Sequence, residues 1–270
     1  MTLNNEDRLF PTGEQTRGLS RSLYDTIKDL PIISPHGHCE PSWFSKNKRF
    51  PDPAQLFVVP DHYVFRMLIS QGFTLSELGV NSIDGSKFEK DPKEIWKKFS
   101  ENYYLFRGTP TAMWLDYSFE KVFGISEPLT AGTSDFYYDH IEEKLSQPDY
   151  LPQALFNKFK IEVLSTTDSA ISDLSQHIEI KNSNWGGRVI PTYRPDSIVD
   201  PEAREFAKNM SKLAEITNED TSSWDGYLKA HRSRRLFFKE MGATATDHGH
   251  LSARTENLSY KEAEQLFKRI

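Results

Sequence analysis

Short apolar runs that alternate with helical periodicity constrain this chain more than any other feature. Ile161-Glu162-Val163-Leu164 and Arg188-Val189-Ile190-Pro191 have the apolar or β-branched character of buried parallel strands. Leu30-Pro31-Ile32-Ile33 reads as an earlier strand of the same kind. Gly242-Ala243-Thr244-Ala245-Thr246 reads as a fourth, weak in composition. Helical patterns near residues 170–180, 201–217 and 223–240 lie between the second, third and fourth runs. This alternation predicts a parallel α/β sheet rather than separate helical and β layers.

Residues 53–159 differ in character. Helical patterns at about 63–71, 92–106, 113–123 and 134–146 are separated by Pro and Gly, and no strand-like alternation stands out. The segment is expected to be a mostly helical insertion between strands one and two, with 1–52 and 160–270 forming the α/β part.

Each expected strand runs directly into polar residues: His36-Gly37-His38, Thr166-Thr167-Asp168, Thr192-Tyr193-Arg194 and Asp247-His248. In (β/α)8 barrels of the TIM type, catalytic residues come from the C-terminal ends of several strands, because the loops there surround one pocket. The pattern predicts a fold of that type, here incomplete with about four strands, and an active site at that face. His36 and His38 are one residue apart, so on an extended strand both point to the same side. Two imidazoles so placed can chelate one divalent cation, and Zn²⁺ suits nitrogen ligands.

Asp61 is a candidate N-cap for a helix that begins with His62 and Tyr63. Arg194 is a candidate fork for a substrate carboxylate, since a guanidinium binds such groups bidentately. Asp247 could act as an acid or base, or hold a neighbouring ligand in place. His140, His177, His231 and His250 have no partner spacing and read as surface or structural. The run His231-Arg232-Ser233-Arg234-Arg235 reads as a solvated helix face, and Cys39 as packing.

Composition narrows the function classes. Thirty-nine Asp and Glu against 33 Lys and Arg leave a net charge of −6, which disfavours nucleic acid and anionic lipid as partners. One cysteine forbids an intrachain disulfide and points to a reducing compartment. No apolar run reaches membrane-spanning length and the first residues lack a signal-peptide pattern, so a cytoplasmic location is expected. A homo-oligomer is left open. At the other end, Ser259 and Glu262 have capping-box spacing, but the helix they begin runs to Ile270 without a stop signal. That predicts a chain that continues beyond this sequence.

Five markers in order resemble the uronate isomerases, the sugar-acid isomerase branch of the amidohydrolase superfamily. They are Ser34-Pro35-His36-Gly37-His38-Cys39-Glu40-Pro41, Asp61-His62-Tyr63-Val64-Phe65-Arg66, Val163-Leu164-Ser165-Thr166-Thr167-Asp168, Ile190-Pro191-Thr192-Tyr193-Arg194-Pro195-Asp196 and Asp247-His248-Gly249. The resemblance implies that His36 and His38 bind a zinc-type metal, and that His62, Tyr63, Arg194 and Asp247 line a uronate pocket. It implies interconversion of D-glucuronate with D-fructuronate and of D-galacturonate with D-tagaturonate. Tyr63 and His62 would then handle protons or hydroxyls, and Asp247 would orient a hydroxyl or assist as base. Ser34 departs from the commoner family form, which is acidic there. The resemblance also implies further ligands on later strands, so a chain of four strands is expected to be inactive alone. A metal-dependent amidohydrolase acting on an amide, ester or lactone shares the His-x-His motif and is the rival enzyme reading. A non-catalytic fragment is the rival outside catalysis.

Overall fold

A computed structural model describes residues 3–249 and 254–270. Helix α1 (Glu14–Asp25) precedes strand β1 (Ile32–Ser34) and the short helix α2 (Pro41–Lys46). A helical stretch follows: α3 (Pro53–Phe57), α4 (His62–Ile69), α5 (Pro92–Glu101), α6 (Pro110–Tyr117), α7 (Ser134–Leu145) and α8 (Pro152–Lys158). Then come β2 (Ile161–Ser169), α9 (Ser175–Asn182), β3 (Val189–Arg194) and α10 (Asp196–Val199). Helices α11 (Phe206–Thr217), α12 (Trp224–Glu240) and α13 (Tyr260–Phe267) complete the order. The chain forms two compact units, residues 1–30 with 48–155 and residues 31–47 with 156–270.

The first unit is helical, and its helices start where the sequence supplies acceptors for free amides. Asp52, Asp61, Asp91 and Thr109 each accept from the first turn of α3, α4, α5 and α6 respectively. Helix α5 buries Ile95, Trp96 and Phe99, the spacing of one helical face. They meet Phe106, Phe119 and Tyr137 in an aromatic core, with Phe119 edge-to-face on Tyr137 at 5.1 Å. The buried Trp96 Nε1 donates to Ser134 O at 3.1 Å. Residues near the start of the chain join this unit because Glu120 accepts from the Leu3 amide at 2.8 Å and Asn4 Nδ2 donates to Met113 O. The unit thus includes 1–30, which the sequence pattern grouped with the α/β part.

The second unit carries a parallel sheet in the order β1-β2-β3. Along β2, Leu164, Thr166 and Asp168 alternate with Ser165, Thr167 and Ser169. The register pairs Leu164 with Val189, Asp168 with Tyr193 and Ser169 with Arg194. Leu164 and Val189 pack with Phe44, Phe156 and Ile180 on the helical side. Tyr193, farther along the same face, packs with Leu213, Ala230 and Phe238.

Three features of the α/β part depart from expectation. Strand β1 is not buried: it pairs with β2 on one edge, and Ile32 and Ile33 are 49% and 62% exposed. The fourth run forms only a parallel bridge, Thr246 with Tyr193, because its Gly-Ala-Thr composition brings little apolar side chain to bury. The run 231–235 is not a wholly solvated face: Arg234 is buried, donating to Ala170 O at 2.8 Å and to Ser172 O. The capping box of Ser259 and Glu262 forms at the start of α13.

Replacing Trp96 by Ala is expected to lower the unfolding free energy by about 3–5 kcal/mol, through lost burial and the cavity left behind. Leu19→Ala, at a side chain 62% exposed on α1, is expected to stay within about 0.5 kcal/mol of the parent. Chemical denaturation of the two variants checks both values.

Candidate functional site

Four of the six expected site residues come together in the α/β unit. His36 and His38 follow β1, Arg194 ends β3, and Asp247 follows the bridge at Thr246. Their convergence does not come from an extended strand, as spacing alone suggested, since β1 ends at Ser34. It comes from a loop pinned on β2. Thr167 Oγ1 donates to Gly37 O at 3.1 Å, and a Cβ on Gly37 would lie 3.0 Å from Ser165 O. Only a glycine lets the loop approach β2 this closely without displacement.

The two imidazoles meet edge-on, their planes 72° apart, with Nε2 atoms 2.9 Å from each other. His36 Nδ1 lies 3.0 Å from Asp247 Oδ2, so Nδ1 carries the proton toward the carboxylate and Nε2 offers its lone pair. Two nitrogen ligands of one tetrahedral zinc lie about 3.3 Å apart, given bonds of about 2.0–2.1 Å. The spacing and the carboxylate behind His36 therefore fit a divalent cation at the Nε2 atoms. Among the described residues no group of three or more His, Cys, Asp or Glu gathers to hold a metal, and the pair offers two ligands. Cys39 is not one of them: it packs against the apolar cluster that includes Phe44 and Leu164, and burial raises its thiol pKa.

Asp247 is held in place by its backbone as well as by charge. Its amide donates to Tyr193 O at 3.1 Å, while the Tyr193 amide donates to Ala245 O. Its Oδ2 also accepts from Arg194 Nη1 at 3.4 Å. Arg194 Nε donates to Asp196, which sequence reasoning missed as a site residue. The available signal was a carboxylate two residues after a strand-ending arginine. Asp196 sits below the usual carboxylate range: burial pushes it up, but the Gly249 amide and then Arg194 outweigh that.

His62 and Tyr63 belong to the helical unit, where Asp61 caps α4 by accepting from the amides of Tyr63 and Val64. Their rings lie 4.2 Å apart, Arg66 stands over Tyr63, and both side chains are exposed. Thr166 and Asp168, expected beyond the strand, lie within β2. They turn to the helices: Thr166 Oγ1 donates to Asp168 at 2.6 Å and accepts from His177 Nε2 at 2.8 Å. His177, nearly fully buried, has its pKa lowered by burial despite the neighbouring Asp168. His231 Nδ1 meets Tyr193 Oη at 2.9 Å, and His140 Nε2 meets Phe123 O at 2.9 Å. All three are thus tied to neighbouring groups within their own units, and His250 lies outside the described residues.

A parallel strand–helix sheet with its polar residues gathered at strand C-terminal ends defines an α/β protein of the class that keeps its chemistry at that face. The sequence matches the glucuronate isomerase family model over residues 13–270, and the chain belongs to that family. A uronate isomerase of Rhizobium meliloti (strain 1021) is 56% identical over 268 residues, 99% of this chain and 57% of that protein. One from Mesorhizobium japonicum is 54% identical over 270 residues, 100% of this chain and 58% of that protein. The crystal structure of glucuronate isomerase from Caulobacter crescentus superposes with a TM-score of 0.94 at 47% identity, covering 99% of this chain and 56% of that one. That of uronate isomerase from Thermotoga maritima gives 0.85 at 29% identity, covering 98% and 55%. The chain thus spans little more than half the length of these relatives.

Beside Arg194, Tyr193 ties the site to a titrating group. His231 is pushed down to about 4, by burial first and Arg235 second. Its neutral form is favoured on folding, so its contribution is complete above the unfolded value and is lost as pH falls from about 6.5 toward about 4. Partial exposure leaves about 1–2 kcal/mol of that loss. Urea denaturation across this window is expected to show a weaker acid-side loss for His231→Gln than for the parent.

Proposed function

We propose that the chain is part of a uronate isomerase, an aldose–ketose isomerase that interconverts D-glucuronate with D-fructuronate and D-galacturonate with D-tagaturonate. The observation that carries this reading is the meeting of His36, His38, Asp247 and Arg194 at strand ends in a member of the glucuronate isomerase family. The parallel sheet is read as part of a (β/α) barrel of the amidohydrolase type, with the helical segment 53–159 inserted between its first two strands. The lone cysteine and the sugar-acid substrate suit action in the cytoplasm.

His36 and His38 would hold a divalent cation, zinc in the first instance, through Nε2. When bound, that cation would supply polarisation of the sugar oxygens, worth several kcal/mol in such reactions. The remaining chemistry falls to the chain. Arg194 binds the substrate carboxylate by charge-assisted hydrogen bonds. Isomerisation moves a proton from C2 to C1 while the carbonyl moves from C1 to C2. Tyr63 and His62 exchange protons or hydrogen bonds with the sugar hydroxyls. Asp247, oriented by the Tyr193 backbone and by His36, positions a hydroxyl or takes the C2 proton.

The protein expressed from its complete reading frame is expected to convert D-glucuronate to a ketose. Turnover of a lactone or amide, with none of a uronate, would assign it to hydrolysis instead. Arg194→Ala is expected to raise KM for D-glucuronate about 10–100-fold, the worth of hydrogen bonds to a charged group. His36→Ala with His38→Ala is expected to abolish stoichiometric zinc in elemental analysis, and unchanged metal content would remove the cation from this scheme.

A further inference from the structure

Arg194 is held from two sides, by Asp196 at Nε and by Asp247 at Nη1. Its Nε donates to Asp196 Oδ2, and its Nη1 reaches Asp247 Oδ2 at 3.4 Å. Asp196 uses its second oxygen too: Oδ1 accepts from the Gly249 amide at 2.9 Å. A Cβ on Gly249 would lie 2.7 Å from Arg194 Nη2 and 3.5 Å from Asp196 Oδ2, so the backbone closes on the pair. One carboxylate therefore ties the exit of β3 to the segment carrying Asp247. An exposed ion pair of neighbours would contribute little, but this one is partly buried and both its oxygens are committed.

A guanidinium offers a carboxylate two bidentate edges, Nε with Nη2 or Nη1 with Nη2. We propose that Asp196 is a positioning residue for uronate binding: by occupying Nε it leaves Arg194 the Nη1/Nη2 edge for the ligand, and through Gly249 it sets that edge against Asp247. The inference rests on Arg194 being the residue that binds the substrate carboxylate. At 3.4 Å the Arg194–Asp247 bond is near the long limit for a hydrogen bond. An incoming carboxylate can take Nη1 from Asp247 without disturbing the Asp196 contact. Arg194 then keeps its orientation while its partner on the open edge changes.

The test is a double-mutant cycle in the full-length enzyme, reading KM and kcat for D-glucuronate together with melting temperature and zinc content. Asp196→Asn keeps the size and an acceptor for Gly249 but removes the charge. It is expected to raise KM about tenfold, the loss of one charge-assisted bond. The metal content, the melting temperature and most of kcat should be retained. In an Arg194→Ala background the same change is expected to have no further effect on KM, because it acts only through that guanidinium. Additive effects, or a parental KM in Asp196→Asn, overturn the proposal. A parental KM in Arg194→Ala instead overturns the carboxylate assignment and the proposal with it. Should Asp196→Asn fail to fold, Gly249→Ala crowds Nη2 with both carboxylates in place. It is expected to raise KM similarly, and a parental KM there overturns the proposal.

Discussion

The parallel register between β2 and β3, which sets Leu164 beside Val189 and Ser169 beside Arg194, is the constraint on which the site depends. Side chains alternate between the faces of a strand, so a slip of one residue would turn Arg194 toward the helices and Tyr193 away from them. Tyr193 cannot make that exchange at low cost. Its ring is edge-on to Phe238 at 5.1 Å and its hydroxyl meets His231, and burial pushes its pKa up to about 12. The backbone of the same residue receives Asp247 and reaches Ala245. One buried tyrosine thus orients Arg194 through the chain and Asp247 through hydrogen bonds, although it touches neither charge with its own side chain.

The helical face of this sheet is less apolar than a doubly covered parallel sheet would ordinarily be. Thr166, Asp168 and His177 form a buried chain of hydrogen bonds, and Arg234 is buried among Phe237, Phe238 and the carbonyls of Ala170 and Ser172. Buried polar groups are tolerated when their partners are supplied. Arg234 satisfies the carbonyls of Ala170 and Ser172, just past the end of β2. The arrangement costs apolar burial and holds the segment after β2, next to the Thr167 that pins the Gly37 loop. Packing on one face and site geometry on the other are therefore linked by the same nine-residue strand.

At the open face, charge is shared rather than paired off. Asp247 accepts from both His36 and Arg194, and Asp196 accepts from both Arg194 and the Gly249 amide. Such shared acceptors fix orientation more than they add stability, since each bond is made in competition with water. The consequence is a set of groups with complementary outer edges: lone pairs at the Nε2 atoms, which suit a cation, and one side of a guanidinium, which suits an anion.

The local part of this protein was legible in its residues. The alternation of strand and helix, the N-cap Asp61, the capping box at Ser259 and the polar residues at strand ends follow from periodicities and hydrogen bonds that span a few residues. Those short-range signals placed His36 and His38 after β1, Arg194 at the end of β3 and Asp247 after the run that bridges at Thr246. They left out Asp196 and misread Arg234, and they ascribed the meeting of the histidines to strand geometry. Each of those depended on a partner far along the chain: Gly249 for Asp196, Ala170 for Arg234, Thr167 for the Gly37 loop. Only strand register and helix packing bring such groups within hydrogen-bonding distance. The sequence by itself determined the residue types and the elements that carry them, and the tertiary structure decided which atoms meet.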